Sequence, residues 1–126
     1  MKSFIMALII AAVIIMGGIY CTSRVDALMS EFTQKSDSIE EDINNDGYDK
    51  ASDTLFQIEE RLETDAVILA SYLDHNEIDK IEIAISQLEV YLERKEKTSA
   101  LASLNTLKKH FLRIPKDYKI KLENIF

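Results

Sequence analysis

FIMALIIAAVIIMGGIYC, residues 4–21, is the stretch that decides the architecture. No charged side chain occurs anywhere in residues 3–23. At about 1.5 Å of rise per residue, a helix over that run spans roughly 30 Å, the thickness of a bilayer's hydrocarbon core. Backbone polar groups in lipid must be satisfied within the segment, so the span is a helix. Tyr20 stands where an interfacial aromatic stands. Ser3, Ala7 and Ala11 lie four apart on one face, a spacing that lets two helices approach closely. Ordinary transmembrane composition is the simpler explanation of the three residues and is favoured over a pairing face.

The run is longer than the roughly 7–15 apolar residues of a secretory signal, and no A-x-A site follows it. A lipoprotein needs a small residue before its cysteine, and Tyr20 precedes Cys21. The segment is therefore expected to stay as an anchor, residues 1–24 including a short leader. Only Lys2 and the amino group precede it, and Arg24 and Lys35 follow, mixed with Asp26 and Glu31. So short a leader favours the amino terminus inside, and a single-pass protein of the cell membrane with its domain extracytoplasmic. Cys21, the single cysteine, fills a small apolar position or, in an oxidising compartment, links two chains.

Outward from the anchor, residues 25–126 are expected to form one soluble helical domain. The whole chain has three Gly, one Pro and no Trp, which favours helices. Val25, Leu28, Phe32, Ile39 and Ile43 continue a helical stripe with no breaker after the anchor. One helix is therefore expected from the membrane to about Asn44. Asn44-Asn45-Asp46-Gly47 signals a turn, with Gly47 suited to positive φ. A second helix starts near the cap Asp49 and buries Ala51, Leu55, Ile58 and Leu62. Its later half, AVILASYL (66–73), is apolar nearly all round and should be surrounded by other elements. Asp74-His75-Asn76 breaks the chain, and Asn76 can cap a third helix with Ile78, Ile81, Ile85, Leu88 and Leu92 inward. After the polar run 93–97, Thr98 caps a fourth helix with Leu101, Leu104, Leu107 and Phe111. Pro115 is expected to stop it. The apolar tail 116–126 is expected to dock on the bundle.

A weak repeat runs at an offset of 49 residues. Ile39, Ile43, Ala51, Leu55, Ile58 and Leu62 match Leu88, Leu92, Ala100, Leu104, Leu107 and Phe111. The fold class that follows is all-α, a transmembrane helix continuing into a four-helix bundle of two antiparallel helical hairpins, with a short solenoid of such hairpins as the alternative.

Charge is uneven around the net −7. Residues 24–65 carry thirteen Asp/Glu against four Lys/Arg, and residues 94–121 carry nine Lys/Arg against two acids. The two halves can attract each other within the bundle, or the basic part can face anionic lipid. An acidic chain with a membrane anchor argues against nucleic acid.

Two clusters carry the metal and acid–base readings. Asp42, Asn44, Asp46, Gly47 and Asp53 stand at positions one, three, five, six and twelve of a calcium-loop pattern. Asp49 at the eighth position, usually apolar, and the short arm of Asp53 count against it. Asp74, His75, Glu77 and Asp79 combine a histidine with carboxylates, a set that binds a divalent ion or moves a proton. Helix capping with a loop histidine explains the same residues. His110 reads as a surface residue. No phosphate-binding glycine loop, nucleophile elbow or zinc spacing occurs.

The leader MKSF and its span, the turn Asp46-Gly47-Tyr48-Asp49-Lys50-Ala51, the run Asp74-His75-Asn76-Glu77-Ile78-Asp79 and the ending Leu122-Glu123-Asn124-Ile125-Phe126 resemble the domain of unknown function 4363 family. These are small membrane-anchored helical proteins of clostridia and related Gram-positive bacteria. That family often has Trp where this chain has Tyr48. The resemblance implies the architecture and no established activity. It raises Asp74, His75, Glu77 and Asp79 as a family motif, and lowers the calcium loop to a helix turn.

The function expected is a non-enzymatic accessory or scaffold protein, held to the membrane by residues 3–23. Its domain would bind another protein, a membrane protein or a second copy of itself. No small-molecule substrate or cofactor is expected. The alternative is a helical module responsive to calcium or another divalent ion.

Overall fold

The computed structural model describes the backbone of residues 1–125, and the side chains of these residues outside 21, 22 and 115–125. Every element is an α-helix: α1 (Lys2–Asn44), α2 (Tyr48–Thr64), α3 (Ala66–Tyr72), α4 (His75–Glu93) and α5 (Lys97–Ile125). No strand occurs among the described residues. α1 is long and apolar enough in its first half to cross a membrane, and none of that apolar window is buried by the rest of the chain. Its second half is the first wall of the domain.

Both tight turns close in the same way. Asp46 takes φ 60°, Gly47 N–H donates to the Asp42 carbonyl at 2.7 Å, and Asp46 N–H donates to Ile43 at 3.1 Å. Lys95 takes φ 55°, Glu96 N–H donates to Tyr91 at 3.0 Å, and Lys95 N–H donates to Leu92 at 3.2 Å. This is the Schellman closure, which satisfies the last carbonyls of a helix through one left-handed residue. Each position in the second turn lies 49 residues after its counterpart, so the offset read from apolar spacing extends to backbone geometry. The left-handed residue is Asp46, not Gly47, whose φ is −86°. Aspartate tolerates that region better than most side chains. A Cβ at Gly47 would stand 3.2 Å from the Asp42 oxygen, a tight contact, although Glu96 carries a side chain at the equivalent place in the second turn.

The core follows the repeat. Ile39, Ile43, Ala51, Leu55 and Ile58 are buried, as are Leu88, Leu92, Ala100, Leu104 and Leu107. Phe111 is buried too, whereas its counterpart Leu62 is half-buried. α1 packs on α2 and α5, and α4 packs on α5 and, through the thinnest of these seams, on α2. Phe32 and Phe111 meet across the α1–α5 seam with ring centroids 5.2 Å apart at 44°. Tilted contact of this kind suits the ring quadrupoles.

Several local expectations are corrected. The second helix is two: α2 ends at Thr64, and Asp65 (φ −100°, ψ 19°) separates it from α3. Asp65 is buried and its carboxylate lies 3.5 Å from Arg24 and 3.1 Å from Arg61, so its side chain serves an ion cluster at a kink where its N–H still donates to the Arg61 carbonyl and its carbonyl still accepts from the Leu69 N–H. The stretch 66–73 is not surrounded. Leu69 and Leu73 are buried, but Val67 is 82 % exposed and Ala66 and Ala70 are exposed. Pro115 does not end the last helix, which runs on to Ile125. A proline removes one hydrogen bond and crowds the carbonyl four residues back, and a helix can continue past that local loss. The N-caps are Gly47 and Asp74, not Asp49 and Asn76, and neither makes a side-chain cap hydrogen bond. α5 begins at Lys97, one residue before Thr98. The docking expected of 116–126 and the linking role considered for Cys21 rest on side chains outside the described residues.

Candidate functional site

The α2–α4 seam opens into a groove of about 380 Å³. Its floor is drawn from three helices: Leu62 of α2, Leu69 of α3, and Ile81 and Ile85 of α4. Its rim is acidic. Glu59 and Glu63 lie four apart on α2, and Glu82 and Glu89 lie seven apart on α4, so each pair shares a helix face beside the apolar stripe. Partial burial first, and then the neighbouring Glu93 charge, push the Glu89 carboxyl above the usual carboxylate range. An apolar floor between carboxylates suits an amphipathic helix carrying lysine or arginine on its flanks. The sequence reading missed this site. Its signal was legible as glutamates flanking the apolar positions of two adjacent helices, but which faces adjoin depends on tertiary packing.

The basic last third meets the acidic first hairpin where it is described. Lys97 Nζ donates to the Asn44 carbonyl at 3.1 Å and lies 3.6 Å from Asp46. Lys108 Nζ donates to Asp37, which holds the ammonium's pKa above its ordinary value. Such exposed pairs contribute at most about 1 kcal/mol each. Neither pair involves a glutamate of the α2–α4 groove.

The sequence-predicted clusters are dispersed. Asp42 and Asn44 belong to the last turn of α1, Asp46 is the left-handed turn residue, and Asp53 is exposed on α2. Only three residues separate α1 from α2, where a calcium loop needs an extended ring of ligands over twelve positions. Asp74, His75 and Asp79 are exposed around the start of α4. Glu77 turns inward to Arg113 of α5, at 3.6 Å. Arg113 in turn lies 3.1 Å from Nδ1 of His110. His110 is thus half-buried rather than a plain surface residue, and burial, with the Arg113 charge next, lowers its pKa. Among the described residues, no three His, Cys, Asp or Glu side chains are grouped as a metal ion requires.

A second cleft, of about 250 Å³, lies between α1 and α2 beside Tyr20, Arg24, Leu28 and Arg61. Asp65 anchors it by bridging Arg24 and Arg61, and Arg61 also lies 3.9 Å from Glu31. Asp65→Ala is expected to lower the unfolding free energy of the detergent-solubilised chain by about 1–3 kcal/mol, read by urea titration. Both guanidinium groups are part-exposed, which keeps the loss below that of a fully buried pair. An unchanged midpoint would show that solvent replaces the carboxylate at no cost.

Compared with known families, residues 19–125 match a family model described as Domain of unknown function (DUF4363). No curated protein and no solved structure matches the chain.

Proposed function

The chain belongs to the DUF4363 family, and from that premise we propose that it is a non-catalytic, single-pass membrane accessory protein whose helical domain binds another protein. In this reading α1 crosses the cell membrane with its amino terminus inside. The domain, a four-helix bundle of two antiparallel hairpins, lies on the outer side. The matched Schellman turns support the paired hairpins, and the uncharged first half of α1 supports the anchor.

The observation that carries the binding role is the α2–α4 groove, with its aliphatic floor and glutamate rim. The occupant it fits is a basic amphipathic helix from a partner protein. Leu62, Ile81 and Ile85 would receive the apolar face, and the rim would pair with flanking lysines or arginines.

A photo-crosslinking residue at Ser86, which is exposed and lines the groove, tests this in the full chain in its native membrane. The expected result is a protein adduct of one discrete mass that is lost when Glu82→Lys and Glu89→Lys are added. The same crosslinker at Asn105, exposed on α5, should give no such adduct. No adduct at Ser86, or one indifferent to the charge reversal, would overturn the reading.

A further inference from the structure

The domain and the anchor overlap in height. Three contacts set the antiparallel register of α1 against α2 and α3: Glu31 with Arg61, Arg24 with Asp65, and Gly18 with Tyr72. In the last of these the Tyr72 hydroxyl donates to the Gly18 carbonyl at 2.9 Å. Gly18 lies inside the uncharged run 3–23, five residues before its end. At about 1.5 Å per residue, α3 therefore reaches roughly 8 Å down alongside a segment whose composition is that of a membrane span.

This creates a conflict of lengths. If the bilayer began below α3, only residues 3–17 of the uncharged run would remain to cross it. That is about 22 Å of helix against a hydrocarbon core of about 30 Å. The shortfall is smallest when α3 sits within the headgroup layer rather than above it in water, because the span then has only the hydrocarbon core left to cross. Its outer face is built for that. Val67 is 82 % exposed, Ala66 and Ala70 are exposed, and the Ser71 hydroxyl is satisfied by the Val67 carbonyl at 2.9 Å. Tyr72 has the apolar ring and polar tip that favour a membrane boundary. The exposed Asp74 and His75 of the following turn set the limit of entry, because their polar groups belong in the headgroup layer and not among acyl chains.

We propose that α3 is a second membrane contact, a lipid-facing tip that lies in the headgroup layer of the same bilayer that α1 crosses. The occupant of its exposed face is the lipid surface, continuous with the lipid around the anchor. This rests on α1 being a membrane span, and the test separates the two.

The chain has no tryptophan, so single substitutions give clean depth probes. Val67→Trp reports α3, Val13→Trp reports the span, and Phe56→Trp, exposed far up α2, reports the part of the domain in water. The full chain is reconstituted into phosphatidylcholine–phosphatidylglycerol vesicles that carry nitroxide-labelled lipid. The expected result is loss of emission for Val67→Trp with a headgroup label, loss for Val13→Trp with an acyl-chain label, and no loss for Phe56→Trp. Ala70→Trp, on the same exposed stretch, should repeat the Val67 result and guards against a local folding defect. Quenching of Val13→Trp with Val67→Trp and Ala70→Trp as bright as Phe56→Trp would overturn the proposal and leave the anchor standing. An unquenched Val13→Trp would overturn the anchor, and the lipid contact of α3 with it.

Discussion

Phe111→Ala is expected to remove about 3–5 kcal/mol from the stability of the domain. Phe111 is fully buried, and its ring rests on that of Phe32 across the α1–α5 seam. Truncation deletes the transfer free energy of an aromatic ring and leaves a cavity that two long helices cannot collapse to fill. It also removes the ring–ring term, about 0.5–1.5 kcal/mol beyond the area itself. A domain of this size has about 5–15 kcal/mol in total, so the variant should melt far earlier or fail to accumulate. Urea unfolding of the detergent-solubilised chain, followed by circular dichroism, reads the loss. Phe111→Leu keeps most of the volume and should lose clearly less. Equal losses for the two would mean that ring geometry, rather than cavity volume, dominates the seam.

The other large effect concerns the anchor. Ile10→Arg with Ile14→Arg should abolish stable membrane integration, because arginine near the middle of a span costs about 2.5–3.5 kcal/mol per residue on insertion scales. Both isoleucines are more than half exposed and touch no part of the core. The pair lies near the centre of the uncharged run. Extraction of membranes with alkaline carbonate should release the double variant and retain the parent chain. The packing from Val25 onward should survive, since none of its buried residues lies in the replaced segment. A double variant that resists extraction would show that the first half of α1 is not what holds the protein to the membrane.

Much of this fold was legible because helices impose a period on their inward residues. The stripes ending in Ile43, Leu62, Leu92 and Phe111 identified the inward faces of the domain. The offset of 49 anticipated two turns that share a backbone closure. What escaped was set by neighbours rather than by local preference. Asp65 stands at the kink between α2 and α3 and pairs there with Arg24, forty-one positions earlier in the chain. Val67 and Ala70 look like core residues in a window of eight, and only the placement of α3 at the end of the domain leaves them bare. Asp46 rather than Gly47 takes the left-handed conformation, because the Schellman closure needs it one residue before the N–H that returns to the Asp42 carbonyl. Candidate ligands at matching sequence intervals dispersed for a related reason: a three-residue connection between helices does not gather side chains as a twelve-residue loop does.

The continuity of α1 has a mechanical consequence. A single unbroken helix of 43 residues is a rod about 64 Å long. In the proposed orientation one end is immersed in lipid, and the other is joined to the Asn45–Gly47 turn, with α2 and α5 bound along its upper half. Spans commonly lean by up to about 40° to match the thickness of the bilayer around them. For a rod of this length, a lean of about 10° sweeps the far turn sideways by about 11 Å. In that orientation, the local thickness of the membrane would be converted into the lateral position of the domain's outer end.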